Sequence, residues 1–390
     1  MIMPGLGETT AMLARLKRGA PMTSSEPKGA GVLTETRSFG ANPGALKMWS
    51  YAPPNLVRGA PLVVVLHGCT QTAKGYAVHA GWIALAQRLG FAVLAPEQST
   101  ANNPNRCFNW FAPDDIARGR GEAASIAAMI ATAVDTLGAD AERVFISGLS
   151  AGGAMTAVML ATYPELFAGG AIIAGLPFGV ARSVPDALRA MSRGDGRDAQ
   201  ALASLVRDAA PSATRPLRLV IWHGDADRTV NPANGRDLSL QWVAALNLES
   251  APCDTAATRG RTTSVWRGEG PDSAVLEMHM VEGLGHGTPL STRMEGDVGS
   301  VAPFMLEAGL CSTLETAAFW GLAEPADRDA TRVSSKAMTT STPPQAASDA
   351  SPKSKSVGVG GQVMDAIAGH VPPQVQDVIA KALRAAGLLS

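Results

Sequence analysis

Arg143-Val144-Phe145-Ile146-Ser147-Gly148-Leu149-Ser150-Ala151-Gly152-Gly153-Ala154-Met155-Thr156-Ala157-Val158-Met159-Leu160 decides how this chain is read. A short apolar, β-branched run leads into Gly-x-Ser-x-Gly, and small and apolar residues then recur at helical spacing. That pattern is strand, sharp turn, helix. A turn that lifts Ser150 to its apex holds the backbone in a cramped conformation, so small residues must flank it. Gly148 and Gly152 leave room for neighbouring backbone, and the serine oxygen projects above the sheet edge. The bare pentapeptide is a weak signal in a chain with 41 glycines. The strand before it and the helix after it favour a nucleophile elbow over a glycine turn whose serine merely caps a helix.

The chain has 390 residues, 46% hydrophobic and 17% charged, with a formal net charge of -1. That length accommodates one large α/β domain with chain left over. Near-neutral charge, with no Lys/Arg stripe interleaved with aromatics, argues against a nucleic-acid partner. No apolar run approaches the roughly 20 residues of a membrane span. Near the start, Arg15, Lys17 and Arg18 stand where an export signal would place its apolar core. A cytoplasmic location is therefore expected, with export by an unrecognised route as the alternative. Cys69, Cys107, Cys253 and Cys311 are scattered without a Cys-x-x-Cys pair, so no metal site is expected. They read mainly as buried thiols, with a bridge between two of them as the alternative.

Working back from the elbow, Leu62-Val63-Val64-Val65-Leu66 is a continuous apolar run, as a strand covered on both faces requires. It ends in His67-Gly68-Cys69-Thr70-Gln71. Arg37 to Tyr51 alternates like the first strands, Gly81 to Leu89 reads as a helix, and Phe91 to Ala95 is a buried strand closed by Pro96. Ser99 to Pro113 is an Asn-rich loop holding Cys107, Phe108, Trp110 and Phe111. These aromatics would be costly to leave in water, so they either pack beneath the loop or line a substrate cleft. Trp110 and Phe111 are the candidates for substrate contact. Glu122 to Leu137 is a helix.

Downstream, Gly169 to Ala174 is another strand, and residues 177–213 are helical in propensity, as a cover over the site or as plain surface helices. Leu217 to Trp222 is a strand ending in His223-Gly224-Asp225-Ala226-Asp227-Arg228-Thr229-Val230, before a helix from Pro232 to Leu246. Val275 to Val281 alternates like a late strand and ends in Glu282-Gly283-Leu284-Gly285-His286-Gly287. Val301 to Leu310 reads as a closing helix. Strands and helices alternate, with Ser, then Asp, then His each placed just after a strand. That is the chain order of the α/β-hydrolase triad, on a mostly parallel central sheet with helices on both faces.

A serine hydroxyl is a poor nucleophile at neutral pH and needs a base, which in turn needs a carboxylate to orient it. Of six histidines, His286 stands apart, because it follows a late strand in a Gly-flanked loop. His67 ends a strand and suits a hydrogen bond to loop backbone; His79 and His370 lie in helical or tail contexts. His279 sits inside a strand, and His223 precedes the acid rather than following it. The acid is Asp225 or Asp227; the one nearer the strand more naturally pins its own turn, which favours Asp227. The backbone N–H groups of Cys69 and Ala151 are the expected donors to the oxyanion. No cofactor is needed.

Together, His67-Gly68-Cys69-Thr70-Gln71, Asn105-Arg106-Cys107-Phe108-Asn109-Trp110-Phe111, Gly148-Leu149-Ser150-Ala151-Gly152-Gly153 and His223 to Val230 resemble the polyhydroxybutyrate depolymerase family of esterases. That family includes feruloyl and acetylxylan esterases. The likeness runs from about Arg37 to Leu310. It implies Ser150, Asp227 and His286 as the triad and hydrolysis of poly(3-hydroxybutyrate)-like polyesters, or of aryl or acetyl esters. The rest of the chain divides by composition. Residues 1–31 read as a peripheral helix and linker, 32–322 as the catalytic domain and 323–361 as disordered linker. Residues 362–390 read as two short amphipathic helices, which dock or self-associate or else meet a hydrophobic granule surface. Two further readings are a granule- or partner-binding protein without catalysis and a serine peptidase. The intact Ser, Asp and His argue against the first.

Overall fold

The computed structural model describes residues 33–323, apart from 211–214, 259, 271–272, 274 and 294–295. The N-terminal helix and linker, the second linker and the amphipathic tail expected from the sequence lie outside the described residues. In chain order the first elements are β1 (Thr34–Thr36), β2 (Lys47–Tyr51), β3 (Leu62–Leu66), α1 (Ala73–His79), α2 (Trp82–Leu89), β4 (Ala92–Glu97) and α3 (Pro113–Ile116). Next come α4 (Gly121–Leu137), β5 (Val144–Leu149), α5 (Ala151–Thr162), β6 (Gly169–Ile173), α6 (Val184–Arg193), α7 (Ala199–Arg207) and β7 (Arg218–Gly224). The chain continues through α8 (Ala233–Ala245), β8 (Asp254–Thr258), β9 (Arg261–Arg267), β10 (Val275–Val281), β11 (Thr288–Leu290), β12 (Met305–Glu307) and α9 (Ser312–Phe319).

Ten strands form one sheet in the order β1-β2-β4-β3-β5-β6-β7-β10-β9-β8. From β4 to β10 in that order all pairings are parallel. An antiparallel pair closes each edge. The central parallel strands β3, β4, β5 and β6 are buried on both faces almost throughout, which is why they are legible as largely apolar runs. All five residues of β3 are fully buried, and successive side chains point to opposite faces. Leu62, Val64 and Leu66 join Met129 and Ile130 of α4 and Met155 of α5 on one face. Val63 and Val65 join Trp82 and Ile83 of α2 and Leu314 and Phe319 of α9 on the other. Each such side chain removed from water contributes about 1.5–3 kcal/mol. Helix α5 is buried along its whole length, so the element that follows Ser150 is held from every side.

Three differences from the sequence reading have physical causes. Residues 301–310 are not a helix. Pro303 sits in a tight turn closed by the Met305 N–H to Ala302 O bond of 2.9 Å, and β12 then pairs with β11; the closing helix is α9. Pro96 lies within β4 rather than ending it. The β8–β9 hairpin escapes the sequence because β8 is Asp-Thr-Ala-Ala-Thr with every residue exposed, giving neither an apolar run nor alternation. Among the described residues no helix is long and apolar enough to cross a membrane.

Candidate active site

Strand β5 delivers Ser150 to the top of the sheet, and the backbone pays for the placement. Ser150 has φ 59° and ψ -118°, a conformation that costs a non-glycine residue about 1–3 kcal/mol. Its N–H donates to Ile173 O of β6 at 2.9 Å, which helps fix the turn. The flanking glycines are required by space. A Cβ on Gly148 would fall on the Gly152 carbonyl, and one on Gly152 would fall on the carbonyl of Leu66 at the end of β3.

The loops after β7 and β10 leave neighbouring parallel strands and are knitted together. Asp225 N–H donates to Val281 O at 3.0 Å and Ala226 N–H to Leu284 O at 3.1 Å. This brings His286 between Ser150 and Asp227. Ser150 Oγ lies 2.9 Å from His286 Nε2, and His286 Nδ1 lies 2.7 Å from Asp227 Oδ2. The other oxygen of Asp227 accepts the N–H groups of Thr229 and Val230 at 2.8 and 2.9 Å. Burial pushes the Asp227 carboxyl up, but the hydrogen bond and charge of His286, with the Val230 N–H and nearby His223, hold it below the ordinary carboxylate range. Of the two candidate aspartates, it is Asp227, the favoured one, that meets His286. Asp225 instead accepts the Gly283 N–H at 2.7 Å and braces the histidine loop from below. Beyond His286 the loop is anchored by Thr288 N–H to Phe304 O, 2.8 Å, and by the β11–β12 pairing.

The loop after β3 forms the facing wall. Gly68 N–H is taken by Gln71 Oε1 at 2.8 Å, and Thr70 N–H by Asn105 O at 2.6 Å. The N–H groups of Cys69 and Ala151 have no acceptor among the described residues. A small, shallow cleft opens here, lined by Gly68, Cys69, Leu149, Ser150, His286 and Phe304.

The cysteines depart from the main expectation of buried thiols. Cys69 and Cys107 are joined in a disulfide, while Cys253 and Cys311 are free. Cys69 and Cys107 are 38 residues apart in sequence, and their pairing follows from topology. β3 and β4 are parallel neighbours, so the loops leaving their ends emerge side by side. Of the two arrangements open to the aromatics of the second loop, packing beneath it describes Phe108 and Trp110. Phe108 and Trp110 are buried in the core, and Phe111 is partly buried against it. Trp110 and Phe111, expected on the substrate side, do not belong to the cleft lining; Phe304, which the sequence did not single out, does.

Under the two bridged loops runs a buried hydrogen-bonded chain. Glu122 accepts from the Gln98 side-chain amide and from Asn109 N–H at 2.9 Å. Gln98 N–H donates to His67 Nε2 at 3.1 Å, and His67 Nδ1–H donates to Gly68 O at 2.8 Å. His67 is thus occupied on both nitrogens, and burial takes its pKa down to about 4. It holds backbone and does not reach Ser150. Burial raises the Glu122 carboxyl from 4.5 to about 8. Between those values the folded chain holds a proton that the unfolded chain has released, so stability falls as pH rises from about 4.5 to about 8. Glu122→Gln should flatten that slope, worth a few kcal/mol in the wild type. Denaturant midpoints at pH 5 and pH 8.5 measure it, and an unchanged slope in the variant would contradict it.

A buried carboxylate, an imidazole and a serine in hydrogen-bonded sequence at the top of a mostly parallel sheet define a hydrolase of the α/β-hydrolase fold. Residues 46–264 match the family model described as Esterase PHB depolymerase, and the chain belongs to that family. Poly(3-hydroxyalkanoate) depolymerase C of Paucimonas lemoignei is 38% identical over 292 residues, covering 74% of this chain and 70% of the relative. Acetylxylan esterase A of Aspergillus ficuum is 31% identical over 282 residues, 69% of this chain and 90% of the relative. A solved acetyl xylan esterase from Aspergillus awamori superimposes with a TM-score of 0.63 at 28% identity, covering 75% of this chain and all of that one. The chain is a carboxylic ester hydrolase. The matched segment contains Ser150 and Asp227 but stops short of His286, whose place in the site rests on its geometry.

Proposed function

We propose that this esterase cleaves poly(3-hydroxybutyrate)-type polyester or its oligomers through an acyl-enzyme on Ser150. The observation that carries the mechanism is the unbroken relay from Ser150 Oγ through His286 to Asp227. Ser150 Oγ attacks the ester carbonyl while His286 Nε2 takes its proton. The N–H groups of Cys69 and Ala151 receive the developing oxyanion. His286 then returns the proton to the leaving alkoxide, which departs as the alcohol. Water repeats the sequence on the acyl-enzyme, giving the carboxylic acid and free Ser150. Asp227 holds the imidazole with its proton on Nδ1, leaving Nε2 free to accept.

Two observations favour an aliphatic polyester. The relative at 38% identity is named a depolymerase of poly(3-hydroxyalkanoate). Among the described residues, the cleft around Ser150 and His286 is lined by Gly68, Cys69, Leu149 and Phe304, whose own side chains carry no charge or amide. The relatives named acetylxylan esterase support a second reading, hydrolysis of acetyl or feruloyl esters. Amorphous poly(3-hydroxybutyrate) granules, acetylated xylan and methyl ferulate separate the two. Release of 3-hydroxybutyrate well above product from the other substrates is expected. Deacetylation of xylan or ferulate release without polymer clearance would move the assignment to the second reading.

A further inference from the structure

Ala302-Pro303-Phe304-Met305 is a tight turn, closed by Met305 N–H to Ala302 O at 2.9 Å. Proline in the second position and a positive φ in the third mark a type II turn, whose third position normally belongs to glycine. Here it is Phe304, at φ 66°. A bulky side chain there is a genuine outlier, and such strain persists where surrounding structure enforces it, most often at functional sites. The enforcement is visible. Phe304 O accepts the Thr288 N–H two residues beyond His286, and Pro303 O accepts from the Gln71 side chain at 3.3 Å. The turn is thus tied both to the histidine loop and to the loop carrying Cys69. The Phe304 ring stands edge-on to the His286 ring, centroids 6.0 Å apart, and forms part of the cleft wall. Just before it in the chain, Pro303 is exposed and Val301 is 57% exposed.

Which half of an ester meets this wall follows from the proposed mechanism. The oxyanion points at the N–H groups of Cys69 and Ala151, while the leaving oxygen must come within hydrogen-bond reach of His286 Nε2 to be protonated. A group beside the His286 ring therefore borders the alcohol half. We infer that Phe304, continued by Pro303 and Val301, is the alcohol-side subsite and that it receives an apolar, aliphatic leaving chain. The inference rests on the esterase mechanism proposed above and extends it. In a polyester the leaving alcohol is the rest of the chain, so an apolar track leading out of the cleft matches a substrate too long to be enclosed.

The test varies one half of the ester at a time. Methyl butyrate and hexyl butyrate share an acyl group and differ in alcohol; p-nitrophenyl acetate and p-nitrophenyl butyrate share an alcohol and differ in acyl group. Wild type should prefer hexyl over methyl butyrate by kcat/KM. Phe304→Gly suits the backbone of the turn and should cut that preference roughly tenfold, while shifting the acyl preference less than about threefold. Val301→Asp, on an exposed side chain with little bearing on folding, should cut the alcohol preference by about threefold. A wild type without alcohol preference, or variants that shift only the acyl preference or neither, would overturn the subsite while leaving the esterase intact. Absence of hydrolysis of all four esters by the wild type would overturn the esterase mechanism and the subsite together.

Discussion

Ser150→Ala lowers kcat on p-nitrophenyl butyrate by about 10⁶-fold without loss of folding. The oxygen removed is the one that becomes bonded to the substrate, and nothing else in the cleft replaces it. The hydrogen bond it shares with His286 is single and lies at the cleft surface, so its loss is tolerated by the fold. The Ser150 N–H to Ile173 O bond and the packing of α5 remain to hold the turn. Because the serine and the histidine act as one unit, adding His286→Ala to Ser150→Ala should cost little more. Residual rate above water should persist in both, from the N–H groups that face the oxyanion. Steady-state kinetics with a denaturant-unfolding control measure this. A Ser150→Ala protein that keeps a tenth of the wild-type rate would refute the covalent mechanism.

Asp227→Asn lowers kcat by about 10⁴-fold, whereas Asp225→Asn changes it less than about tenfold. The asymmetry comes from which atom each carboxylate meets. Asp227 Oδ2 accepts the His286 Nδ1 proton at 2.7 Å. An amide NH₂ in its place would have Nδ1 accept instead, which moves the imidazole proton to Nε2 and removes the base that Ser150 needs. Asp225 accepts only a backbone N–H, that of Gly283, among the described side-chain bonds. An Asn oxygen accepts that donor equally well. The pair of variants is decided by kcat alone, and a larger loss from Asp225→Asn than from Asp227→Asn would exchange their roles.

How much of this was legible follows from where each signal resides. Ser150, Asp227 and His286 each sit just past a strand in a glycine-containing turn, so a local pattern marks them. The central parallel strands announce themselves because burial on both faces leaves few polar positions, none at all in β3. What escaped depends on relations between distant segments, or on a conformation with no residue signature. The Cys69–Cys107 bridge follows from the adjacency of β3 and β4, which no spacing encodes. Burial of Trp110 beneath its loop is one of the two placements its sequence allows, and the choice between them depends on the room left by α4 and the core around it. Phe304 occupies a glycine position without being a glycine, so nothing local reveals its φ. At 301–310 a local signal does exist, because Pro303 argues against a helix interior.

The two glycines of the elbow also govern how such a site can change by descent. A side chain at Gly152 would collide with the carbonyl of Leu66, and Leu66 ends the strand that carries His67, Gly68 and Cys69. The turn bearing the nucleophile and the loop facing the oxyanion therefore cannot drift independently. Replacement of that glycine demands a compensating shift in a fully buried strand, which a single substitution does not supply. The two loops are constrained as one unit, and a change in either requires a matching change in the other.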